Sequence, residues 1–234
     1  MIQSAIINGY KIHAFSSKAS LLSYIKEEKK ILVAMNAEKI SKKNNRLREI
    51  VNRNIGYSDG VGAVMALRQN ELKSMKIAGS EFWLDIVQHY HHERRFYLIG
   101  STSNVIHHTV ERLKREFPQI QIVGYRDGFL KREDKIALIQ DLKRTKPDIV
   151  FVAQGSPRQE FLMNELLHAH PALYMGLGGS FDIYAGVKQR APRLFLNYHL
   201  EWFYRLLKEP TRIGRQITLI KFLLFHIFFI NIIE

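Results

Sequence analysis

Short β-rich runs alternate with amphipathic helical patterns as far as residue 185, and this alternation restricts the fold more than any other feature of the chain. Strands that alternate with helices form a parallel sheet with helices on both faces. The runs predicted as buried strands are Lys30–Met35, Phe96–Ile99, Gln121–Gly124, Ile149–Ala153 and Ala172–Gly176. The predicted helices are Ala19–Glu28, Gly60–Gln69, Glu81–His91, Val105–Phe117, Arg132–Arg144 and Arg158–Ala169. We therefore predict an α/β fold with a mostly parallel, Rossmann-like sheet flanked by helices.

The texture of the sequence changes near Ala191-Pro192, where an aromatic, basic segment begins. We predict an α/β catalytic domain over residues 1–190 and a C-terminal helical appendage over residues 191–234. No cysteine is present among the 234 residues, which excludes disulfides and thiolate zinc sites. The N-terminus lacks the pattern of a signal peptide, so we expect none.

The net charge of +13 limits the partners to nucleic acid, an anionic membrane face or phosphorylated substrates. Part of the excess lies between Lys188 and Lys221 and is followed by an apolar tail, residues 217–233. A basic segment that leads into an apolar one favours a membrane surface over nucleic acid. The tail is shorter than the ~20 residues of a transmembrane helix. A monotopic or peripheral anchor is therefore preferred to a full span, and a core helix or a contact in a homo-oligomer stays open.

Ligands of open α/β sheets bind beyond the carboxyl ends of the strands. Gly100-Ser101-Thr102-Ser103 follows a predicted strand and suits either a phosphate-binding turn or a plain tight turn. The dinucleotide fingerprint and the P-loop motif are both absent, which argues against a nicotinamide enzyme and a P-loop ATPase.

Asp59 follows the apolar residues Ile55-Gly56-Tyr57 and precedes a predicted helix. It either caps that helix or serves as a carboxylate that takes a proton from an acceptor hydroxyl. Local sequence favours the cap.

Two later segments contain polar groups that can form hydrogen bonds with sugars and nucleotides. In Gln154–Glu160, Gly155 permits close backbone approach, and Gln159 and Glu160 fall in the first turn of a helix. Glu160 could equally be a partner of the helix dipole. In Gly178–Asp182, the glycines expose backbone amides to an anion, and Asp182 can accept from ribose hydroxyls. Cationic forks for a diphosphate are available at Arg190, Arg205, Arg212 and Arg215.

No metal and no cofactor is expected. His89 and His92 share a helix face but lack an evident third ligand, so we interpret the histidine cluster around them as a solvated helix end. The Asp-x-Asp pair with which many glycosyltransferases hold a divalent ion does not occur.

Together these segments make the chain resemble the WecG/TagA/CpsF family of glycosyltransferases, in the family order and over nearly the whole chain up to Arg215. The matching stretches are Asn36-Ala-Glu-Lys, Ser58-Asp-Gly-Val-Gly, Gly100-Ser, Gly124 to Phe129, Pro147-Asp148, Gln154-Gly-Ser-Pro-Arg-Gln-Glu, Gly178-Gly-Ser-Phe-Asp, Ala185-Gly, Lys188-Gln-Arg-Ala-Pro, Leu200-Glu-Trp-Phe-Tyr-Arg-Leu and Glu209-Pro-Thr-Arg.

The resemblance implies an inverting, metal-independent enzyme that moves a hexose from a UDP-sugar to a polyprenyl-diphosphate-linked sugar. It would work at the cytoplasmic face of the bacterial plasma membrane, in the synthesis of surface polysaccharide or wall polymer. By matching position, Asp59 is the general base, Asn36 lies beside it in the sugar pocket, Gln159 contacts the donor and Asp182 lies near the ribose or uracil. The appendage arginines Arg205, Arg212 and Arg215 would close over the diphosphate. The remaining candidate substrate contacts are Lys76, Gly100, Ser101, Phe129, Gln154, Glu160, Gly178, Gly179 and Arg190.

The sequence departs from the family pattern at Ala34, where Thr is frequent, at Lys76, where Arg is common, and at Phe129, where Tyr is usual. These departures leave the donor sugar open among N-acetylmannosamine-, uronic acid- and glucose-type hexoses. The alternative function is a non-catalytic nucleotide- or lipid-binding protein on the same fold.

Overall fold

The computed structural model describes residues 2–189 together with Pro192, Phe195 and Tyr204. Within this part of the chain an eight-stranded sheet lies between two layers of helices. Its strands are β1 (Ser4–Ile7), β2 (Tyr10–His13), β3 (Ile31–Met35), β4 (Ile55–Ser58), β5 (Arg95–Gly100), β6 (Gln121–Arg126), β7 (Ile149–Ala153) and β8 (Leu173–Gly176). The helices are α1 (Lys18–Ile25), α2 (Ala37–Ser41), α3 (Asn45–Arg53), α4 (Val61–Gln69), α5 (Gly79–Tyr90), α6 (Ser103–Glu116), α7 (Arg132–Thr145), α8 (Arg158–Ala169) and α9 (Ser180–Tyr184).

The strand order is β1-β2-β4-β3-β8-β7-β5-β6, and every neighbouring pair except β1 with β2 is parallel. The mostly parallel α/β sheet predicted from the sequence is therefore confirmed. Strands β3 and β8 lie side by side although they are far apart in the chain. Their boundary is a seam between the half built from β1–β4 and the half built from β5–β8.

The central strands are apolar throughout because helices cover both faces of the sheet. Strand β7 (Ile149–Ala153) is buried at every position. On one face α2, α3, α4, α7 and α8 contribute to the core, and on the other face α1, α5, α6 and α9 contribute. Trp83 of α5 illustrates the packing on the second face, since its ring contacts Phe151 and Phe181 edge-on at 5.6 Å and 5.7 Å.

Three parts of the fold were not predicted. The first is the β1–β2 hairpin, which turns at Asn8 (φ 49°) and Gly9 (φ 81°). The second is β4, whose four residues include a glycine and are too short for a clear strand pattern. The third is the set of helices α2, α3 and α9, of which α2 and α9 have only five residues each. The predicted appendage, residues 191–234, lies outside the described residues apart from Pro192, Phe195 and Tyr204.

Candidate active site

The carboxyl ends of the parallel strands bring together loops from both halves of the sheet. On one side of the seam are the residues that follow β3 and β4. On the other side are the loops that follow β5, β6, β7 and β8. The described candidate residues from the sequence lie at the ends of these strands, in the loops and first helical turns that follow them, or in the segment that leads from α4 to α5. They therefore gather at one edge of the sheet.

Asp59 immediately follows β4 and is half-buried. Its backbone N–H donates to the carbonyl of Met35 at 2.9 Å, which joins it to the end of β3. Its Oδ1 accepts from the backbone N–H of Gly79 at 2.7 Å, and Gly79 is the first residue of α5. A carboxylate is stabilised at the positive end of a helix. Asp59 is thus a charged group oriented by a fixed backbone donor.

The interpretation of Asp59 as a cap for the helix that follows it is wrong. Helix α4 has Gly60 at its N-cap position and no side-chain cap bond. The side chain of Asp59 turns instead to the N-terminus of α5, a helix that begins twenty residues later at Gly79. A local pattern could not indicate this, because the donor reaches Asp59 only through tertiary packing.

Asn36 lies next to Asp59 across the β3–β4 pair. It is the N-cap of α2, and its Oδ1 accepts from the backbone N–H of Lys39 at 3.0 Å. A Cβ placed on Gly60 would lie 3.4 Å from the Cβ of Asn36, so the two loops are in van der Waals contact. The structure therefore brings Asn36 and Asp59 together, as the family resemblance implied.

Tyr57 is a neighbour of Asp59 that the sequence did not reveal, because it occurs in an apolar run. Its side chain is fully buried, and its hydroxyl has no hydrogen-bond partner among the described residues. Burial raises the pKa of Tyr57 well above its usual range, and the charge of Asp59 raises it further. Tyr57 therefore presents a neutral hydroxyl beside the carboxylate.

Lys39 and Glu160 form an ion pair across the seam, with 2.7 Å between Nζ and Oε1. Both side chains are withdrawn from solvent, at 13% and 1% exposure. Lys39 also donates to the carbonyl of Ala34 at 2.9 Å. The second carboxylate oxygen of Glu160 has no hydrogen-bond partner within the described part of the chain. Sequence reasoning singled out Glu160 but missed Lys39.

Gln159 is almost fully buried and links α8 to the loop after β8. Its Nε2 donates to Oε1 of Glu160 at 3.3 Å, and its Oε1 accepts from the backbone N–H of Gly178 at 2.9 Å. The amide fits against β8 because Gly176 has no side chain there; a Cβ would collide with Nε2 of Gln159. Gln159 thus fixes the glycine-rich loop from below.

Asp182, in α9, belongs to a second cluster of polar side chains at this edge of the sheet. Its Oδ1 accepts from the hydroxyl of Ser101 at 2.5 Å, and its Oδ2 lies 3.4 Å from Nζ of Lys188. Gly178, with φ of 59°, and Gly179, the N-cap residue of α9, lead into this helix. The structure therefore connects the Gly100-Ser101 turn to the Gly178–Asp182 segment. Both segments were predicted to belong to the same site.

The turn after β5 has an unusual backbone. Gly100 has φ of 144° and Ser101 has φ of 55°, a left-handed conformation that is strained for a residue with a side chain. The carbonyl of Ser101 accepts from Gly128 at 2.9 Å, and Gln154 Nε2 donates to the carbonyl of Gly128 at 2.7 Å. The loops after β5, β6 and β7 are therefore joined. Phe129, next to Gly128, extends into solvent with 74% exposure.

Lys76 lies in the segment that leads to α5 and runs along the end of β4. Its neighbours are tied down, since Met75 accepts from the Ser58 hydroxyl at 2.8 Å and Ile77 donates to the Ser58 carbonyl at 2.8 Å. The remaining cationic candidates, Arg190, Arg205, Arg212 and Arg215, lie outside the described residues, as does the apolar tail 217–233.

No group of three potential metal ligands occurs in the part of the chain that the structure describes. The ring of His89 contacts the ring of Tyr90 edge-on at 4.6 Å, and His91 contacts Phe117. Within the same residues, no helix has the length and apolarity to span a bilayer.

The arrangement defines an α/β protein of the class that binds its ligands in a crevice beyond the carboxyl ends of parallel strands. The sequence model of the glycosyl transferase WecG/TagA/CpsF family matches residues 5–231, and the chain belongs to this family. The resemblance predicted from the sequence is confirmed. Membership makes the protein a glycosyltransferase and implies cell-surface polysaccharide synthesis from a sugar donor and a lipid-linked acceptor.

Proposed function

We propose that the protein is an inverting glycosyltransferase that moves a hexose from a UDP-sugar to a sugar linked to polyprenyl diphosphate. Asp59 is the general base. The observation that carries the proposal is the position of this carboxylate, which is held by the N–H of Gly79 at 2.7 Å and lies beside Asn36 at the carboxyl edge of a family member's sheet.

The reaction needs a base because the acceptor is an alcohol. Asp59 takes the proton of the acceptor hydroxyl while the hydroxyl oxygen bonds to the anomeric carbon of the donor. The bond from that carbon to the UDP oxygen breaks, and UDP leaves with the electron pair. Attack from the side opposite to UDP inverts the anomeric centre. The fixed backbone donor of Gly79 orients the carboxylate, so little reorganisation accompanies proton transfer.

The leaving UDP requires positive charge near its diphosphate. The family resemblance assigns this to Arg205, Arg212 and Arg215, with Arg190 as a further candidate, in place of a metal. The donor nucleotide would lie along the other side of the seam. There Ser101 and Asp182 are hydrogen-bonded, and Gln159 supports the backbone of Gly178. These groups suit ribose hydroxyls and phosphate oxygens.

The acceptor explains the membrane location in this proposal. A polyprenyl diphosphate keeps its lipid in the bilayer, so the enzyme must work at the membrane surface. We propose that it binds the cytoplasmic face of the bacterial plasma membrane peripherally or monotopically through residues 217–234. Deleting this segment should move the protein from the membrane to the soluble fraction. An unchanged distribution would refute the anchoring role of the tail.

Replacing Asp59 by Asn tests the base. Asn keeps the shape and an oxygen for the Gly79 N–H but cannot take a proton. Release of UDP with a lipid-diphosphate-sugar acceptor should fall about 10²–10⁴-fold, the usual contribution of a general base. UDP affinity, measured by calorimetry, should change little. Full turnover in Asp59→Asn would reject the base assignment.

Asp148→Asn is the matched control. Oδ2 of Asp148 also accepts a backbone N–H, that of Arg95, at 2.8 Å, but it lies at the amino end of β7, on the opposite edge of the sheet. Activity should be retained in this variant. UDP binding without turnover on any lipid-diphosphate sugar, in the unmodified protein, would instead favour the non-catalytic nucleotide- or lipid-binding function.

A further inference from the structure

Three segments at the carboxyl edge each expose a large apolar side chain with a lysine within two residues of it. The apolar members are 37% to 74% exposed. The pairs are Met75 with Lys76, Phe129 with Lys131, and Val187 with Lys188. Single exposed apolar residues are ordinary on protein surfaces. Here an exposed apolar group and a lysine recur together along one edge, and we call these six residues the apolar-basic rim.

The rim extends along this edge from β4 to β6, which is six of the eight strands. Met75 lies at the end of β4, through its contact with Ser58. Val187 follows α9, the helix after β8, and Phe129 follows β6. From β4 to β6 there are five steps between neighbouring strands, which at about 4.8 Å each gives a width of roughly 24 Å. A small ligand cannot contact all three pairs at once, whereas a flat partner can.

The opposite edge of the sheet provides a comparison. There a cavity of about 410 Å³ is lined by several cations, among them Lys26, Arg94 and Lys143. Lys143 lies in the last turn of α7, where a cation complements the helix dipole. None of the large apolar side chains that are exposed among the described residues lines this cavity. At this cavity, positive charge therefore occurs without exposed apolar groups, whereas along the apolar-basic rim the two occur together.

We propose that the apolar-basic rim lies against an anionic lipid surface. The apolar side chains of Met75, Phe129 and Val187 enter the interface between headgroups and acyl chains, and the lysines reach the lipid phosphates. The α/β domain thus adds a membrane contact to that of the tail, and the tail remains the anchor. The proposal rests on the proposed function, because a lipid-linked acceptor gives this orientation its use. With the rim on the membrane, Asp59 faces the surface from which the acceptor diphosphate arrives.

The absence of cysteine from the sequence makes a direct test available. A single cysteine can be placed at Met75 or Val187 in the full-length protein and labelled with an environment-sensitive nitrobenzoxadiazole dye. Ile6→Cys is the control, because Ile6 is 63% exposed, close to the 59% of Val187, but lies in β1, away from the carboxyl edge. The measurement is the emission of the dye on adding vesicles of phosphatidylglycerol and phosphatidylcholine, with no substrate present.

At both rim positions the emission should shift to the blue and rise severalfold with anionic vesicles, and lipids bearing a quencher in the upper acyl chain should quench it. The Ile6 probe should not respond. The proposal is overturned if the rim probes stay unchanged while the protein sediments with the vesicles. It is also overturned if pure phosphatidylcholine acts equally well, or if the rim probes are already blue-shifted without lipid, which would assign the rim to the chain's own C-terminal segment.

The two ends of α7 supply a charge test. Lys131 is the N-cap residue of this helix and Lys143 lies in its last turn; both are exposed. Lys131→Gln should raise the lipid concentration at half-maximal response of the Val187 probe about fivefold, the effect of one cation near an anionic surface. Lys143→Gln should leave it unchanged. Equal effects of the two variants would overturn the orientation. Because no turnover is measured, a negative result here is distinct from a failure of the Asp59 assay.

Discussion

Nζ of Lys39 lies 2.7 Å from Oε1 of Glu160, and this ion pair joins the two halves of the sheet beneath the candidate site. Lys39 belongs to α2, next to the Asn36 cap, while Glu160 belongs to α8 and receives a hydrogen bond from Gln159. The pair therefore couples the side of the site that contains Asp59 to the side that supports the Gly178 loop. We expect the pair to position the groups on both sides of the site.

Glu160→Gln should destabilise the protein strongly. Removing one partner of a buried pair leaves the other charge uncompensated, which typically costs about 3–5 kcal/mol. The free energy of unfolding, measured by urea denaturation, should fall by a value in that range. The double variant Lys39→Met with Glu160→Gln should recover much of the loss, because no buried charge then remains.

Glu165→Gln is the control on the same helix. Glu165 pairs with Lys135 at 2.8 Å, but both side chains are well exposed, at 46% and 38%. An exposed pair contributes about 0–1 kcal/mol, so this variant should be close to the unmodified protein. If Glu160→Gln behaved like Glu165→Gln, the coupling between the halves of the sheet would have to be abandoned.

The sequence indicated the parts of the fold whose signal is local. Strand β7 was predicted with its observed ends because five consecutive buried residues form an apolar run. The β1–β2 hairpin was missed although Asn8-Gly9 is a strong turn signal. Strand β4 was not predicted because Ile55–Ser58 is too short to show a strand pattern, and it becomes a strand through its pairing with β3.

The same distinction applies to the site. Asp59, Asn36, Ser101 and Asp182 were selected from motifs, and the structure places each of them at the same edge of the sheet. Lys39 was missed because its partner Glu160 lies 121 residues away in the chain, and no local pattern connects them. The role of a side chain that depends on burial or on a distant partner cannot be predicted from the periodicity of the sequence.

Ser101→Ala should weaken the binding of UDP about tenfold, a loss of about 1.4 kcal/mol. The hydroxyl of Ser101 donates to Oδ1 of Asp182 at 2.5 Å, and hydrogen bonds to charged groups contribute about 1.5–3 kcal/mol. Without it, Asp182 loses its fixed orientation toward the proposed nucleotide. Titration calorimetry measures the change. Ser103→Ala, at the exposed first residue of α6, should bind UDP normally. Equal losses in both variants would contradict a specific role of Ser101.

The stability of the protein should decline in mild acid through His13. Burial lowers the pKa of His13 below its ordinary value of 6.5. The unfolded chain therefore binds more protons than the folded protein between 6.5 and the lower folded pKa. The free energy of unfolding is unaffected by this group well above pH 6.5 and falls as the pH drops through that window. Urea denaturation at about pH 7.5 and about pH 5.5 measures the difference.

His13→Asn should reduce that pH dependence, because the amide does not titrate and can replace the contact of Nδ1 with the Gly56 carbonyl at 3.2 Å. Stability at neutral pH should change less than the slope between the two pH values. An identical decline in the variant would show that other groups cause the acid sensitivity.

Gly79→Ala should disturb the base, because the added Cβ would lie 2.8 Å from the hydroxyl oxygen of Tyr57 and 3.4 Å from the Cβ of Ala34. Tyr57 is fully buried and cannot move aside, so the start of α5 must shift and weaken the bond from Gly79 to Asp59. Overpacking of this kind costs about 1–3 kcal/mol, and transfer should fall as well.

Tyr57→Phe removes the obstructing oxygen. Combined with Gly79→Ala, Tyr57→Phe should restore most of the stability and the activity. Tyr57→Phe alone should be nearly neutral, because no hydrogen bond is lost among the described groups. A double variant as impaired as Gly79→Ala alone, in urea denaturation and in the UDP-release assay, would contradict this account of how Asp59 is positioned.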